Sequence, residues 1–299
     1  MSLANGLQTI VVATDLEGRA KAALEYARKL AGAYGSRIVL AHGLDPLDYA
    51  GVDAIPGRVL KNMTDTARAT LDEMAAALFD DGIHAHSEIR QGVVAHMLVE
   101  VARQYKAGLI VIGTKGCDGA GPVLVGAIAE QVVREAPCAV LAVAEDWNAG
   151  DFRPLPGGPI LLAAEPNETA PAAVATARSL AEVFHRQLVV LHARRAAEAA
   201  ASVNPGATTL KQFGIDARDR FPVRLIVKDG HPADVIEEAV EQFHPSLLVT
   251  GVKRASKTPG PHGTAFALLA RSRVPVLCVP PEAAKAEVAT DERVMTVAS

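Results

Sequence analysis

Residues 92–115 read GVVAHMLVEVARQYKAGLIVIGTK, and residues 230–253 read GHPADVIEEAVEQFHPSLLVTGVK. The two stretches align without a gap. Gly92, Ala95, Glu100, Gln104, Leu109, Val111, Gly113 and Lys115 match Gly230, Ala233, Glu238, Gln242, Leu247, Val249, Gly251 and Lys253, and Pro137 falls on Pro275 at the same offset. Each stretch opens on a glycine, continues with apolar residues at helical spacing, and ends in a short apolar run that enters a loop. A continuous apolar run of that length suits a parallel strand buried on both faces. One helix-to-strand unit therefore occurs twice, which marks an internal duplication.

The same alternation extends outward. Thr9 to Thr14 is a nearly continuous apolar run and is expected to be the first strand. A helix is expected over 17–34, with Leu24, Ala27, Leu30 and Ala31 at helical spacing and Asp15 as its N-cap. Arg37 to His42 reads as a second strand, 44–57 as a loop, and 58–80 as a helix with Leu60, Met63, Ala67, Leu71, Met74 and Leu78 on one face. Ile83 to Ile89, Leu109 to Ile112 and Ala139 to Val143 read as the remaining strands of the first half. Helices lie between them, one from Gly92 to about Tyr105 and one from Gly126 to just before Pro137. Strict alternation of strand and helix predicts a parallel sheet with right-handed crossovers. The pattern restarts at Ile160 to Ala164, with a helix over 168–185 and a strand from Gln187 to His192, but Asn204-Pro205-Gly206 interrupts the counterpart of the 58–80 helix. The expected domains are 1–145 and 159–281, with a Pro/Gly-rich linker at 146–158 and a tail at 282–299.

Composition sets bounds. A chain of 299 residues accommodates two domains, each large enough to bury its own core. Hydrophobic residues at 49% and charged residues at 21% exclude disorder over most of it. Aromatics at 4% supply few platforms for stacking bases, and a net charge of −4 argues against a nucleic-acid coat. No apolar run reaches the roughly eighteen residues a membrane span needs, and Met1 to Gly6 lacks the features of a secretory signal, so a cytoplasmic location is expected. Cys117, Cys138 and Cys278 are too few and too scattered for a disulfide framework or a zinc site.

The segment with most chemical content is GTKGCDGAGPVLVGA, Gly113 to Ala127, which leaves a strand and enters a helix. In parallel α/β sheets ligands bind beyond the carboxyl ends of the strands. Glycines let a backbone approach phosphate, and the helix N-terminus adds partial positive charge. The residues alone fit a phosphate loop and a plain surface turn about equally well.

The spacing Gly113, Gly116, Gly126 resembles the nucleotide motif G-x2-G-x9-G-[S/T] of the universal stress protein family. The strand ending Val12-Ala13-Thr14-Asp15 and the stretch from Ala136-Pro137-Cys138 to Val143 are similar to that family's first and last strands. The chain is identified as a tandem member, and the resemblance covers nearly all of it. It implies two Rossmann-like (adenine nucleotide α-hydrolase-like) domains, each a five-stranded parallel sheet flanked by helices. It also implies a site for ATP, ADP or AMP, with or without Mg, in the first domain. Ala13, Thr14 and Asp15 would lie at the adenosine end. Gly43, just after the second strand, stands where the family usually has an apolar residue against adenine. Gly113, Lys115, Gly116 and Gly126 would hold the phosphates, followed by Ala127 and Ile128. Pairing of such domains through their fifth strands would be internal here, with a homodimer as a further assembly.

Two departures stand out in the first loop. Ala127 replaces the motif's final hydroxyl residue, and no arginine occurs between Gly113 and Gly126. One lost hydrogen bond to a charged group costs about 1.5–3 kcal/mol, or ten- to a hundredfold in affinity. The second loop departs further. Arg254 replaces the second glycine, the spacing is one residue short, and Glu165 replaces the aspartate. Thr264 restores the hydroxyl, and Lys253, Arg254 and Lys257 make this loop more basic. The second domain is expected to be mainly structural.

Other residues resemble chemistry less closely. His84 and His86 are expected on one strand face without further metal ligands. His231 and Asp234 open a helix with no activated nucleophile beside them, and Asp65, Asp72, Glu73 and Asp80 read as a solvated helix face. Cys138 and Cys278 are expected in or next to core strands and inert, while Cys117 lies in the loop. No Walker lysine, GxSxG elbow or HExxH is present. The expected function is a stress-responsive nucleotide-binding sensor or regulator, with no catalytic residue assigned. An interaction scaffold that binds no nucleotide and a slow ATP hydrolase using Asp118 remain the alternatives. Another adenine-nucleotide enzyme is disfavoured, because its His-x-Gly-His or Ser-Gly-Gly signatures are missing.

Overall fold

The computed structural model describes residues 7–16, 20–44, 57–114, 126–145, 147, 157–165, 170–194, 210–215, 220–252 and 264–281. These fall into two compact units, the described residues up to 147 and those from 157 onward.

The first unit runs β1 (Thr9–Ala13), α1 (Lys21–Tyr34), β2 (Arg37–Leu44), α2 (Gly57–Asp80), β3 (Ala85–Gln91), α3 (Val94–Gln104), β4 (Leu109–Thr114), α4 (Ala127–Glu135) and β5 (Ala139–Ala144). Its strands lie in the order β3-β2-β1-β4-β5, and every pair is parallel. Ile10, Val11, Val12, Ile110 and Val111 are fully buried, as expected where helices cover both faces. α1 packs on β1, β4 and β5, and α2 on β3 and β2. α3 crosses β1, β2 and β3 and meets α4, which covers β5. Right-handed crossovers put α1 and α2 on one face and α3 and α4 on the other. On α2 the apolar stripe turns inward through Ala67, Leu71 and Leu78.

The second unit runs β6 (Ile160–Ala163), α5 (Ala170–Val183), β7 (Leu188–Arg194), a 3-10 turn (Leu210–Phe213), β8 (Val223–Asp229), α6 (Pro232–Phe243), β9 (Leu247–Gly251), α7 (Thr264–Arg271) and β10 (Val276–Val279). Its order, β10-β9-β6-β7-β8, is again wholly parallel and repeats the first sheet element for element. The duplication holds at single residues. Gly92 and Gly230 both have positive φ, 126° and 150°. The N–H of Gly92 donates to Leu44 O at 3.1 Å, and that of Gly230 to Arg194 O at 2.9 Å. Among the described residues, only the 3-10 turn stands between β7 and β8, where the first unit has a six-turn α2 of 24 residues.

Several sequence expectations need correction. Asp15 is not the cap of α1: the helix begins at Lys21, and Ala20 holds the N-cap position without a side-chain bond. The chain turns earlier, because Leu16 takes φ 63° and its N–H donates to Thr14 Oγ1 at 3.1 Å. β2 continues through Gly43 to Leu44, because β3 pairs with it as far as Gln91. Gly43 is therefore inside the strand rather than after it. β3 starts at Ala85, since Gly82 and Ile83 are tied back to Phe79 O and Leu78 O at the end of α2. His84 consequently precedes the strand that carries His86, and both are exposed.

Candidate functional site

The site candidates lie at the carboxyl ends of the strands. In the order β3-β2-β1-β4-β5 the chain steps from β1 toward β2 on one side and from β4 toward β5 on the other. The gap between β1 and β4 is thus the switch point of the sheet, where ligands settle in such folds. The register shows how it opens. β1 pairs with β2 through Ala13↔Ala41, but with β4 only as far as Val12↔Val111. Thr14 N–H then donates to Ala41 O at 3.0 Å, which keeps the β1 exit with β2 and away from β4. Gly113 and Thr114 continue along β5 instead, opposite Val143 and Ala144.

Ala13 and Asp15 are half-buried at this exit, and Thr14 is buried. Gly113 is exposed at the end of β4. Gly126 is the N-cap of α4, with φ −56°, and gives the helix no side-chain cap; Ala127 and Ile128 are its exposed first residues. The leading N–H groups of α4 carry the helix's partial positive charge, and the N-cap residue offers them no side-chain acceptor. Lys115, Gly116, Cys117 and Asp118 lie outside the described residues. The same holds for Lys253, Arg254 and Lys257 of the second loop, whereas Thr264 is the first residue of α7.

One residue that sequence reading missed is His42. Its Nδ1 lies 2.9 Å from Thr14 O. A carbonyl only accepts, so Nδ1 carries the hydrogen, and the ring pins the β1 exit. His192 does the same in the second unit, 3.1 Å from Ala164 O. The signal was available: His42 follows Thr14 at the same interval as His192 follows Ala164. The surroundings differ. His192 is buried and meets the Phe213 ring edge-on at 6.1 Å between centroids, while His42 is half-exposed.

Gly43 also differs from expectation. A Cβ there would come within 2.9 Å of Val94 Cγ2 and 3.0 Å of Met97 Cε. The space beside this glycine is filled from α3.

The remaining candidates behave as surface groups. His231 Nδ1 is 3.8 Å from Asp234, which also pairs with Arg271 of α7 at 3.2 Å. Among the described residues no group of three or more His, Cys, Asp or Glu could hold a metal ion, and no helix is long and apolar enough to cross a membrane. Cys138 and Cys278 are buried, and burial pushes each thiol up to about 12.

A duplicated Rossmann-like sheet with an open switch point defines a tandem α/β protein. The sequence model of the universal stress protein family matches residues 6–144 and again 158–280, and the chain belongs to that family. A universal stress protein of Methanocaldococcus jannaschii is 31% identical over 144 residues, 46% of this chain and 83% of that one. One from Thermus aquaticus is 31% identical over 138 residues, 46% of this chain and 98% of its own length. A crystal structure of a universal stress protein from Archaeoglobus fulgidus shares the fold with a TM-score of 0.75 and 17% identity, covering 92% of this chain and 98% of that one.

Proposed function

We propose that the first domain, residues 1–145, binds ATP or a related adenine nucleotide, with or without Mg, and that the protein acts as a stress-responsive sensor or regulator rather than as a fast enzyme. The observation that carries this reading is the α4 N-terminus without a side-chain cap, beside the splayed ends of β1 and β4. Phosphates would lie against Gly113, Lys115, Gly116, Gly126 and the N–H groups of Ala127 and Ile128, with the nucleoside toward Ala13, Thr14, Asp15 and Gly43. Among the described residues nothing lies within 4 Å of where a Cβ at Gly126 would stand, and this room supports the pose. Placing the site in the first domain rests on sequence: Gly116 has Arg254 as its counterpart.

The purified protein is denatured and the extract examined by mass spectrometry, then ATP is titrated calorimetrically. Adenine nucleotide near one per chain supports the reading. An empty extract with a flat titration at millimolar ATP sinks it and leaves an interaction scaffold. Ala127→Ser, which restores the missing donor, should tighten ATP about tenfold.

A further inference from the structure

The end of β2 and the start of α3 meet in a way that concerns the base rather than the phosphates. β3 pairs with β2 up to Leu44↔Gln91, and Gly92 N–H donates to Leu44 O, so the chain leaves β3 directly beside the end of β2. Gly92, at φ 126°, turns it back, and α3 starts at Val94. The first turn of α3 then settles on Gly43. Val94 Cγ2 would stand 2.9 Å from a Cβ at that position and Met97 Cε 3.0 Å. Only a residue without a side chain lets the helix sit this low. Met97 is buried beneath, whereas Val94 remains half-exposed and Val93 is 43% exposed.

α3 packs against α4. His96 Nε2 is 2.7 Å from Gln131 Nε2, which fixes α3 beside α4. Val93, the N-cap of α3, and Ile128, in the first turn of α4, are both exposed, Ile128 at 48%. An apolar, planar group joined to an anion fits this layout.

We propose that Val94, seated on Gly43, supplies the apolar wall against which the nucleobase lies. The inference rests on the proposed nucleotide site and deepens it.

The test compares ATP with inorganic triphosphate, which has charge but no base, by calorimetry on the full chain. Val94→Ala should weaken ATP about five- to tenfold and leave triphosphate unchanged. Gly43→Val on its own collides with Val94, whereas Gly43→Val combined with Val94→Ala refills the wall and should recover much of the lost ATP affinity. Val94→Thr keeps the shape, adds a hydroxyl, and should also weaken ATP alone; it serves if Val94→Ala unfolds. ATP binding that is unchanged in both Val94 variants overturns the wall. Equal loss of ATP and triphosphate overturns it too, because Val94 would then shape the whole site. If the unmodified protein binds no ATP, the nucleotide reading itself falls and takes this inference with it.

Discussion

The two units share a plan down to single hydrogen bonds but finish the carboxyl end of the sheet differently. β3 and β8 even carry half-buried and exposed residues in the same order. On β2, however, His42 is half-exposed at the β1 exit. Beside β7, His192 is buried under Phe213, and the turn carrying Phe213 is tied to α5 by Arg178 Nη1 donating to Gly214 O at 3.4 Å. The lesson is that the sheet and its crossovers tolerate a large change in one connection. What changes is how the strand ends are covered, and that is where a ligand would lie.

The largest expected effect breaks that difference directly. Phe213 and Leu71 hold the non-equivalent connections, and both are buried. Phe213→Ala should destabilise the second unit by about 3–5 kcal/mol, and Leu71→Ala the first by about 2–5 kcal/mol. Two probes separate them. Trp147, the single tryptophan, packs at 5.1 Å on Tyr26 and reports the first unit by fluorescence, while alkylation of the buried Cys278 reports the second. Phe213→Ala that leaves Cys278 as protected as before in urea would show that the 3-10 turn is not part of the second core.

Next come the paired glycines. Both have positive φ, but a Cβ at Gly230 would also stand 2.8 Å from Val235 Cγ2, whereas Gly92 has open space. Gly230→Ala is expected to cost about 3 kcal/mol and Gly92→Ala about 1 kcal/mol. Equal shifts in the two urea midpoints would mean that backbone strain alone decides the cost.

The paired histidines give a smaller contrast. His192→Leu leaves Ala164 O without its donor in a buried setting and should cost about 2 kcal/mol. At the half-exposed His42, water replaces the lost donor, so His42→Leu should cost about 1 kcal/mol. A larger loss at His42 would make the β1 exit a strained element rather than a pinned one.

Much of this plan was legible in the sequence for physical reasons. Buried parallel strands are apolar on both faces, so Thr9–Ala13, Leu109–Thr114 and Ala139–Ala144 announced themselves. The gapless match of the Gly92 and Gly230 stretches announced the duplication. Half-buried segments were harder. β3 is mostly polar and has only one neighbour, so its start at Ala85 depends on how α2 ends rather than on its own composition. The span of β2 depends likewise on its partner. The candidate site was suggested by a glycine spacing, a local property of the sequence, of which Gly113 and Gly126 lie among the described residues and Gly116 outside them. That Gly43 is a seat for Val94 could not be read, since it follows from contact between residues about fifty positions apart. His42 was readable only by comparing the halves.

Alkaline pH should sharpen the comparison with the least perturbation. Each unit buries one thiol whose proton is held to about 12, Cys138 in the first and Cys278 in the second. The unfolded thiols release theirs near their ordinary value of 9, so above that pH the unfolded chain binds fewer protons and stability falls as pH rises. Each thiol should contribute about 1 kcal/mol per pH unit, alike in both units. Above pH 10 the units should part. Burial holds the Tyr26 phenol far above its ordinary value of 10, and desolvation with the Glu88 hydrogen bond raises Tyr105. Both belong to the first unit. Lys29, lowered by burial, works in the opposite direction, but only until its ordinary value of 10.5 is passed. Urea midpoints followed by Trp147 fluorescence should therefore fall more steeply between pH 10 and 11 than those followed by Cys278 protection. Parallel curves would mean that the Tyr26 hydroxyl, which has no hydrogen-bond partner among the described residues, gains solvent before the first unit unfolds.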